Sequence, residues 1–189
     1  MRLAFHFTAH LMRIIGGIRK GHPIPIDKNF KGRPTTDFAR EGLMNTLENM
    51  IHWPDCTVLD VFTGTGAFSL EALSRGAQSA WALDIQGNHI THLNKIKLQW
   101  KLNQLSTYKV DSFAWIPQCM HTFDVIFADP PFAHPQLPQL PEMLLRCLKP
   151  NGILVLEHNK THQFQEHPTF VKEKKYGNVH FSFFTTFAT

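Results

Sequence analysis

The chain has 189 residues, 43% hydrophobic and 18% charged, which is enough apolar content to bury one domain core and excludes a disordered polymer. A formal charge of +4 leans toward anionic partners without being a nucleic-acid signature by itself. The three cysteines, Cys56, Cys119 and Cys147, are far apart and form no C-x-x-C pair, which argues against a disulfide framework or zinc site and fits a reducing compartment.

Met1 to Leu11 makes a poor signal peptide, because His6 and His10 interrupt its apolar region and no small-residue cleavage site follows. No apolar run approaches the roughly 20 residues of a membrane span. A cytoplasmic protein without membrane contact is therefore expected. The twelve histidines are scattered and form no H-E-x-x-H pattern, so no metal is expected. Between residues 13 and 35, Arg13, Arg19, Lys20, Lys28, Lys31 and Arg33 face a single acid, Asp27. Gly16-Gly17, Gly21, Pro23, Pro25, Gly32 and Pro34 break this stretch into short strands with turns, such as a hairpin. Residues 1–35 are thus expected to be a basic arm and 36–189 the main domain. By charge alone the arm reads equally well as a phosphate-contacting segment or as a solvated, irregular terminus.

Helical spacing begins after Pro34, with Ala39, Leu43, Leu47, Met50 and Ile51 on one face, Thr36 or Asp37 as N-cap, and Pro54 as the stop. Strands and helices then alternate. Strands are predicted over Thr57 to Val61, Ser79 to Asp84, Thr107 to Val110, Phe123 to Ala128 and Ile153 to His158. Helices are predicted from Ala67 to Arg75, Asn88 to Asn103 and Leu137 to Leu148, with a short one after the third strand and a turn at Lys149-Pro-Asn-Gly152. Such alternation predicts an α/β fold, a doubly wound, mostly parallel sheet. Phe170 to Lys175 and Val179 to Phe187, joined by Tyr176-Gly-Asn178, predict a C-terminal antiparallel hairpin at one edge.

Four motifs fall at the carboxyl ends of these strands, where open parallel sheets collect their ligands. Asp60 precedes Gly64-Thr-Gly66, a turn tight enough for close backbone approach and followed by a helix N-terminus. Ser69 stands where a dinucleotide fingerprint would have its third glycine. Asp84 ends the second strand, where an acid can hold both ribose hydroxyls. Phe62 and Ile85 adjoin these motifs and belong to the same expected nucleoside pocket. Asp111-Ser112 reads either as an adenine contact or as a helix cap. Asp129-Pro-Pro-Phe132 is the sharpest signal, because two prolines stiffen the loop and fix its acceptors. An exocyclic base amine is a poor nucleophile. Acceptors such as Asp129 and a local carbonyl at Pro130 orient its nitrogen and stabilise the developing charge, and Phe132 stacks on the base.

Several stretches together carry a resemblance: Arg13-Ile-Ile-Gly-Gly17, Arg33-Pro-Thr-Thr-Asp37, Leu59-Asp-Val-Phe-Thr-Gly-Thr-Gly66, Leu70-Glu-Ala-Leu-Ser-Arg-Gly-Ala77 and Asp129-Pro-Pro-Phe132. In this order they are similar to the bacterial 16S ribosomal RNA guanine-N2 methyltransferase family, over roughly residues 12–158. The resemblance implies a class I, Rossmann-like methyltransferase fold, S-adenosylmethionine as cofactor, and the small ribosomal subunit or its 16S RNA as partner of a monomer. By position it implies Asp60, Gly64 and Gly66 at the methionine and sulfonium end, Asp84 on the ribose, Asp111 on the adenine, and Asp129 with Phe132 on the guanine. Arg13, Arg19, Lys20, Lys31 and Arg33 are then the expected phosphate contacts. Adenine N6 or a protein glutamine amide remains an alternative acceptor, and a nicotinamide-binding protein or a non-catalytic RNA module an alternative class.

Overall fold

The computed structural model describes residues 12–26 and 35–186. Met1 to Leu11, Lys31 and Arg33 lie outside the described residues. Seven strands form one sheet in the order β3-β2-β1-β4-β5-β7-β6. β1 (Thr57–Val61), β2 (Ser79–Asp84), β3 (Leu105–Lys109), β4 (Phe123–Ala128) and β5 (Leu148–His158) run parallel. β6 (Phe170–Tyr176) and β7 (Val179–Thr185) form the antiparallel hairpin. Its turn is two residues, Gly177-Asn178, with Gly177 at φ 64°, where a residue without Cβ is least strained.

The central strands are buried on both faces, and their side chains alternate between two cores. Val58, Ala80, Val125 and Val155 join one core with α1 (Asp37–Glu48), α2 (Ala67–Ser74) and α3 (Gly87–Trp100). Leu59, Leu83, Ile126 and Leu154 join the other, which includes Leu140 and Leu144 of α5 (Leu140–Leu145) and the flank of α4 (Ser112–Trp115). β1 is flanked by β2 on one side and β4 on the other, so the strand order reverses there and a crevice opens above the β1 and β4 ends.

Boundary differences have local causes. α1 is capped by Thr36, whose hydroxyl accepts from Ala39 N at 3.3 Å, and it ends at Glu48, leaving Met50 and Ile51 half-buried beyond it. The helix expected over 137–148 is a 3-10 turn, Leu137–Gln139, followed by the six residues of α5. Pro138 and Pro141 are tolerated only in a first turn, so they break it in two. β5 begins at Leu148 and absorbs the expected turn as an irregularity, with Asn151 at φ 61° and its N–H donated to Thr186 O at 2.8 Å.

Residues 12–26 fold back on themselves through one antiparallel bridge, Arg13 to Pro23, and bury Ile14 and Ile24 in the first core. They dock on α2. The Glu71 carboxylate, fully buried, accepts Ile15 N at 2.8 Å and Gly16 N at 2.7 Å, and Arg75 Nε at 3.0 Å. Ser74 Oγ donates to Gly16 O at 2.6 Å and accepts from Arg19 N at 3.0 Å. Gly17 sits at φ 74°, and a Cβ there would run into the Ser74 carbonyl. Among the described residues no helix is long and apolar enough to cross a membrane.

Candidate active site

The loop after β1 turns through a left-handed stretch, with Phe62 at φ 64°, Gly64 at 52° and Gly66 at 76°. A bulky aromatic in that region is strained, and such strain persists only where the surroundings hold it. Here Asp60 holds the loop from below: its Oδ2 accepts from Thr63 Oγ1 at 2.6 Å, Ser69 Oγ at 2.6 Å and Ser69 N at 3.1 Å. Ser69 therefore explains its own departure from a third glycine, since its hydroxyl ties α2 to the strand. Burial raises the Asp60 carboxyl to about 6, and the charge of Asp84 adds to this against the lowering effect of its hydrogen bonds.

Asp84 closes the loop from the other side. Its carboxylate accepts Gly64 N at 2.9 Å and Gln86 N at 2.8 Å, and meets His89 Nδ1 at 3.0 Å. Beside it Ile85 is 56% exposed, an apolar side chain open to the cavity. Phe62, Gly64, Asp84, Ile85, Asp60, Asp129, Pro130 and Phe132 all line one cavity of about 1020 Å³ at the carboxyl ends of the strands. Asp111 and Ser112 do not line it. The Asp111 carboxylate caps α4, accepting Phe113 N at 3.0 Å, and the Ser112 hydroxyl is buried. The ring of Phe113 stacks on His134 with centroids 3.9 Å apart and also approaches Phe62, at 5.3 Å, so the loops after β3 and β4 meet beside the glycine turn.

The loop after β4 presents the second half of the site. Asp129 N donates to Val61 O at 3.2 Å, which fixes the start of the loop against β1. The carboxyl keeps a partly open face on the cavity yet lies deep among protein atoms. Burial, and next the charge of Asp60, push it up to about 7. The Phe132 carbonyl faces His162 Nε2 at 3.0 Å, so the segment after β5 braces the loop.

A further acid was not singled out from the sequence. Glu157, next to last in β5, is 3% exposed and lines the same cavity. Its carboxyl is pushed up to about 9, by burial first and by the charge of Asp129 second. Thr35 Oγ1 lies 2.9 and 3.1 Å from its two oxygens. The signal was present in Ile153-Leu-Val-Leu-Glu-His158, an acid ending an otherwise apolar strand, as Asp60 and Asp84 do in theirs.

Of the expected phosphate contacts, Lys20 is exposed, and Arg13 is exposed with Nε 3.8 Å from Asp37. Arg19 is committed to the protein: its Nη2 donates to Trp100 O at 2.7 Å and its guanidinium lies 5.3 Å from the Trp100 ring centre. The ligand-type atoms of His158, Glu173 and His180 come within 4.8 Å of one another, and each already has protein partners. Glu173 meets His180 Nδ1 at 2.8 Å and Lys175 Nζ at 3.0 Å, while Ser182 Oγ is 2.8 Å from His158 Nε2.

A seven-stranded sheet of this order, with a glycine turn, an acid at the end of β2 and an acidic proline loop after β4 opening on one crevice, defines a class I methyltransferase. A putative methyltransferase from Escherichia coli, yhhF, superposes with a TM-score of 0.82 at 28% identity, covering 95% of this chain and 99% of that one. The chain belongs to the family described as Conserved hypothetical protein 95, whose model matches residues 12–185. It is 33% identical over 180 residues to ribosomal RNA small subunit methyltransferase D of Buchnera aphidicola subsp. Baizongia pistaciae, covering 92% of this chain and 91% of the relative. To the Escherichia coli K12 protein of the same name it is 32% identical over 157 residues, covering 83% and 76%.

Proposed function

We propose that this protein transfers a methyl group from S-adenosylmethionine to the exocyclic N2 amine of one guanine in small-subunit ribosomal RNA. The observation that carries this reading is that Asp129 and the glycine turn share one cavity, with an acid for a ribose at one end and an acceptor for an amine at the other. The ribosomal acceptor is supported by the names of the two relatives.

The residues suit the cofactor chemically. Ile85 is an uncovered apolar face beside Asp84, suited to a nucleobase, and the turn at Gly64 brings backbone close to whatever fills the cavity. When bound, the cofactor supplies a methyl group on a positively charged sulfur. A cation beside Asp129 favours its ionised form, so cofactor binding should prepare the acceptor for the amine. The ionised carboxylate receives an N–H of the base, holds the nitrogen lone pair toward the methyl, and takes up the proton lost after transfer. Pro130 and Pro131 keep the loop from rearranging, so positioning supplies most of the rate. Phe132 supplies a ring for the base once it has left its helix. Asp111 with Ser112 would bear on the adenine only from outside the described cavity. Lys20 and Arg13, with Lys31 and Arg33, give the arm its phosphate contacts, and the protein acts as a cytoplasmic monomer.

The test is transfer of labelled methyl to small ribosomal subunits taken from cells that lack this gene, followed by mass mapping of the RNA. N2-methylguanosine at one position is expected. Label in adenine, in DNA or on a protein glutamine would overturn the assignment.

A further inference from the structure

Glu157 is a buried carboxyl that the scheme above does not use. It lies on β5, the strand beside β4, and Ala128 pairs with Leu156 in register, so Asp129 and Glu157 follow side by side at the mouth of the sheet. Adjacent strands are about 4.8 Å apart. That spacing is comparable to the distance across a guanine edge from the C2 amine, past N1, to the O6 oxygen. Both residues line the cavity, so a base whose amine reaches Asp129 meets Glu157 next.

The surroundings of Glu157 favour its neutral form. Among the described residues its hydrogen-bond partner is one hydroxyl, that of Thr35, and no ion pair joins it. The charged and titratable groups that share its cavity are Asp129 after β4, Asp60 on β1, Glu71 of α2, Asp84 of β2, His89 of α3, Arg40 of α1, Lys160 after β5 and Tyr176 of β6, and of these the charge of Asp129 bears on it most. Arg40 engages Asp37 at 2.6 Å and the Arg13 carbonyl at 3.0 Å through Nη2, and its Nε and Nη1 are buried without a hydrogen-bond partner among the described residues. Burial and the Asp129 charge hold the Glu157 proton on well above neutrality. Such a carboxyl offers one O–H donor, whereas Asp129, once ionised, offers only acceptors.

We propose that Glu157 is the residue that selects guanine over adenine: its protonated carboxyl donates to O6 while Asp129 accepts from the N2 amine, with Thr35 positioning the Glu157 side chain. The proposal rests on the guanine reading above. Guanine presents an amine donor and an oxygen acceptor on one edge, and this pair of carboxyls presents the complement. Adenine carries an amine without an oxygen in that relation. A buried donor left unpaired by the wrong base penalises it, and this penalty is the basis of the selectivity.

2-Aminopurine keeps the amine at C2 and lacks the oxygen at C6. Small-subunit RNA carrying guanine or 2-aminopurine at the methylated position is assembled by ligation, and kcat/KM is measured for each. The wild type should disfavour 2-aminopurine by roughly 10- to 100-fold. Glu157→Ala should lower guanine transfer and shrink that ratio to within about threefold. Glu157→Gln, whose amide still donates, should keep the ratio and lose the decline in guanine transfer above pH 9. An unchanged ratio in Glu157→Ala, a wild type indifferent to the missing oxygen, or a Glu157→Gln profile identical to the wild type at high pH would overturn the proposal. A wild type that methylates neither RNA would instead refute the guanine reading. Should Glu157→Ala fail to fold, as judged by S-adenosylhomocysteine binding, the Glu157→Gln comparison decides alone.

Discussion

Two buried glutamates divide this molecule into a part that holds and a part that acts. Glu71, under the N-terminal arm, is saturated: two backbone N–H groups and the Arg75 guanidinium meet its oxygens. Glu157, at the mouth of the crevice, has Thr35 and an acidic neighbour. Both are almost without solvent exposure. The difference lies in their company: a buried charge that holds two backbone donors and a guanidinium is a fastener, whereas an acid with one hydroxyl for company is suited to a ligand. Asp60 and Asp129 differ in the same way at neighbouring places on the cavity: the first holds a loop through hydrogen bonds to Thr63 and Ser69, and the second follows β4 with its carboxyl raised by burial.

Substitutions can break that contrast, and the largest effect is expected on the acting side. Asp129→Ala should lower kcat by about a thousandfold, the scale of a lost proton acceptor and charge partner. S-adenosylhomocysteine affinity by calorimetry should change by no more than about threefold. On the holding side, Glu71→Ala should cost about 3 kcal/mol or more in urea unfolding, because it strands two backbone donors and leaves Arg75 with Glu48 alone. Turnover per folded molecule should survive. Gly17→Ala should cost about 2 kcal/mol by the same measurement, since the left-handed backbone and the Ser74 carbonyl both oppose a Cβ.

The pH profile sharpens the comparison further. Asp129 works ionised, so kcat/KM should rise with pH and level off above about 7, or lower once the cofactor cation is bound. Stability should move the other way. The folded-state pKa of Glu157 is raised above its unfolded value, so the stability it contributes is full below about 4.3 and is lost as pH climbs through about 9. Glu157→Gln should flatten that decline by a few degrees in thermal unfolding between pH 5 and 9. A decline of the same slope in the variant would assign it to other groups.

The parallel core was legible because alternation of apolar strands and helical spacing is local information. The glycine turn and Asp84 were legible for the same reason: each sits at the end of its own strand. What escaped depended on contacts distant in sequence. Glu71 stands in a mostly apolar helix, and only the docked arm, 55 residues upstream of it, shows what its oxygens hold. Arg19 counted as a free cation until Trp100, 81 residues on, claimed it. Glu157 gains its meaning from Asp129 on the next strand, which the spacing along one chain does not display. For Asp111 the two sequence readings were cap and adenine contact. The cap is present in the structure, and the adenine contact remains a proposal.

The central claim is spatial: the activated carbon and the amine meet between the glycine turn and the Asp129 loop. A crystal structure with S-adenosylhomocysteine bound tests it most directly. The account predicts the ribose on Asp84 and the thioether sulfur facing Asp129, with room between them for one methyl and one nitrogen at about 3–3.5 Å from each other. A sulfur turned away from Asp129, or a ligand seated outside the cavity that Asp60, Asp84 and Asp129 share, would contradict it.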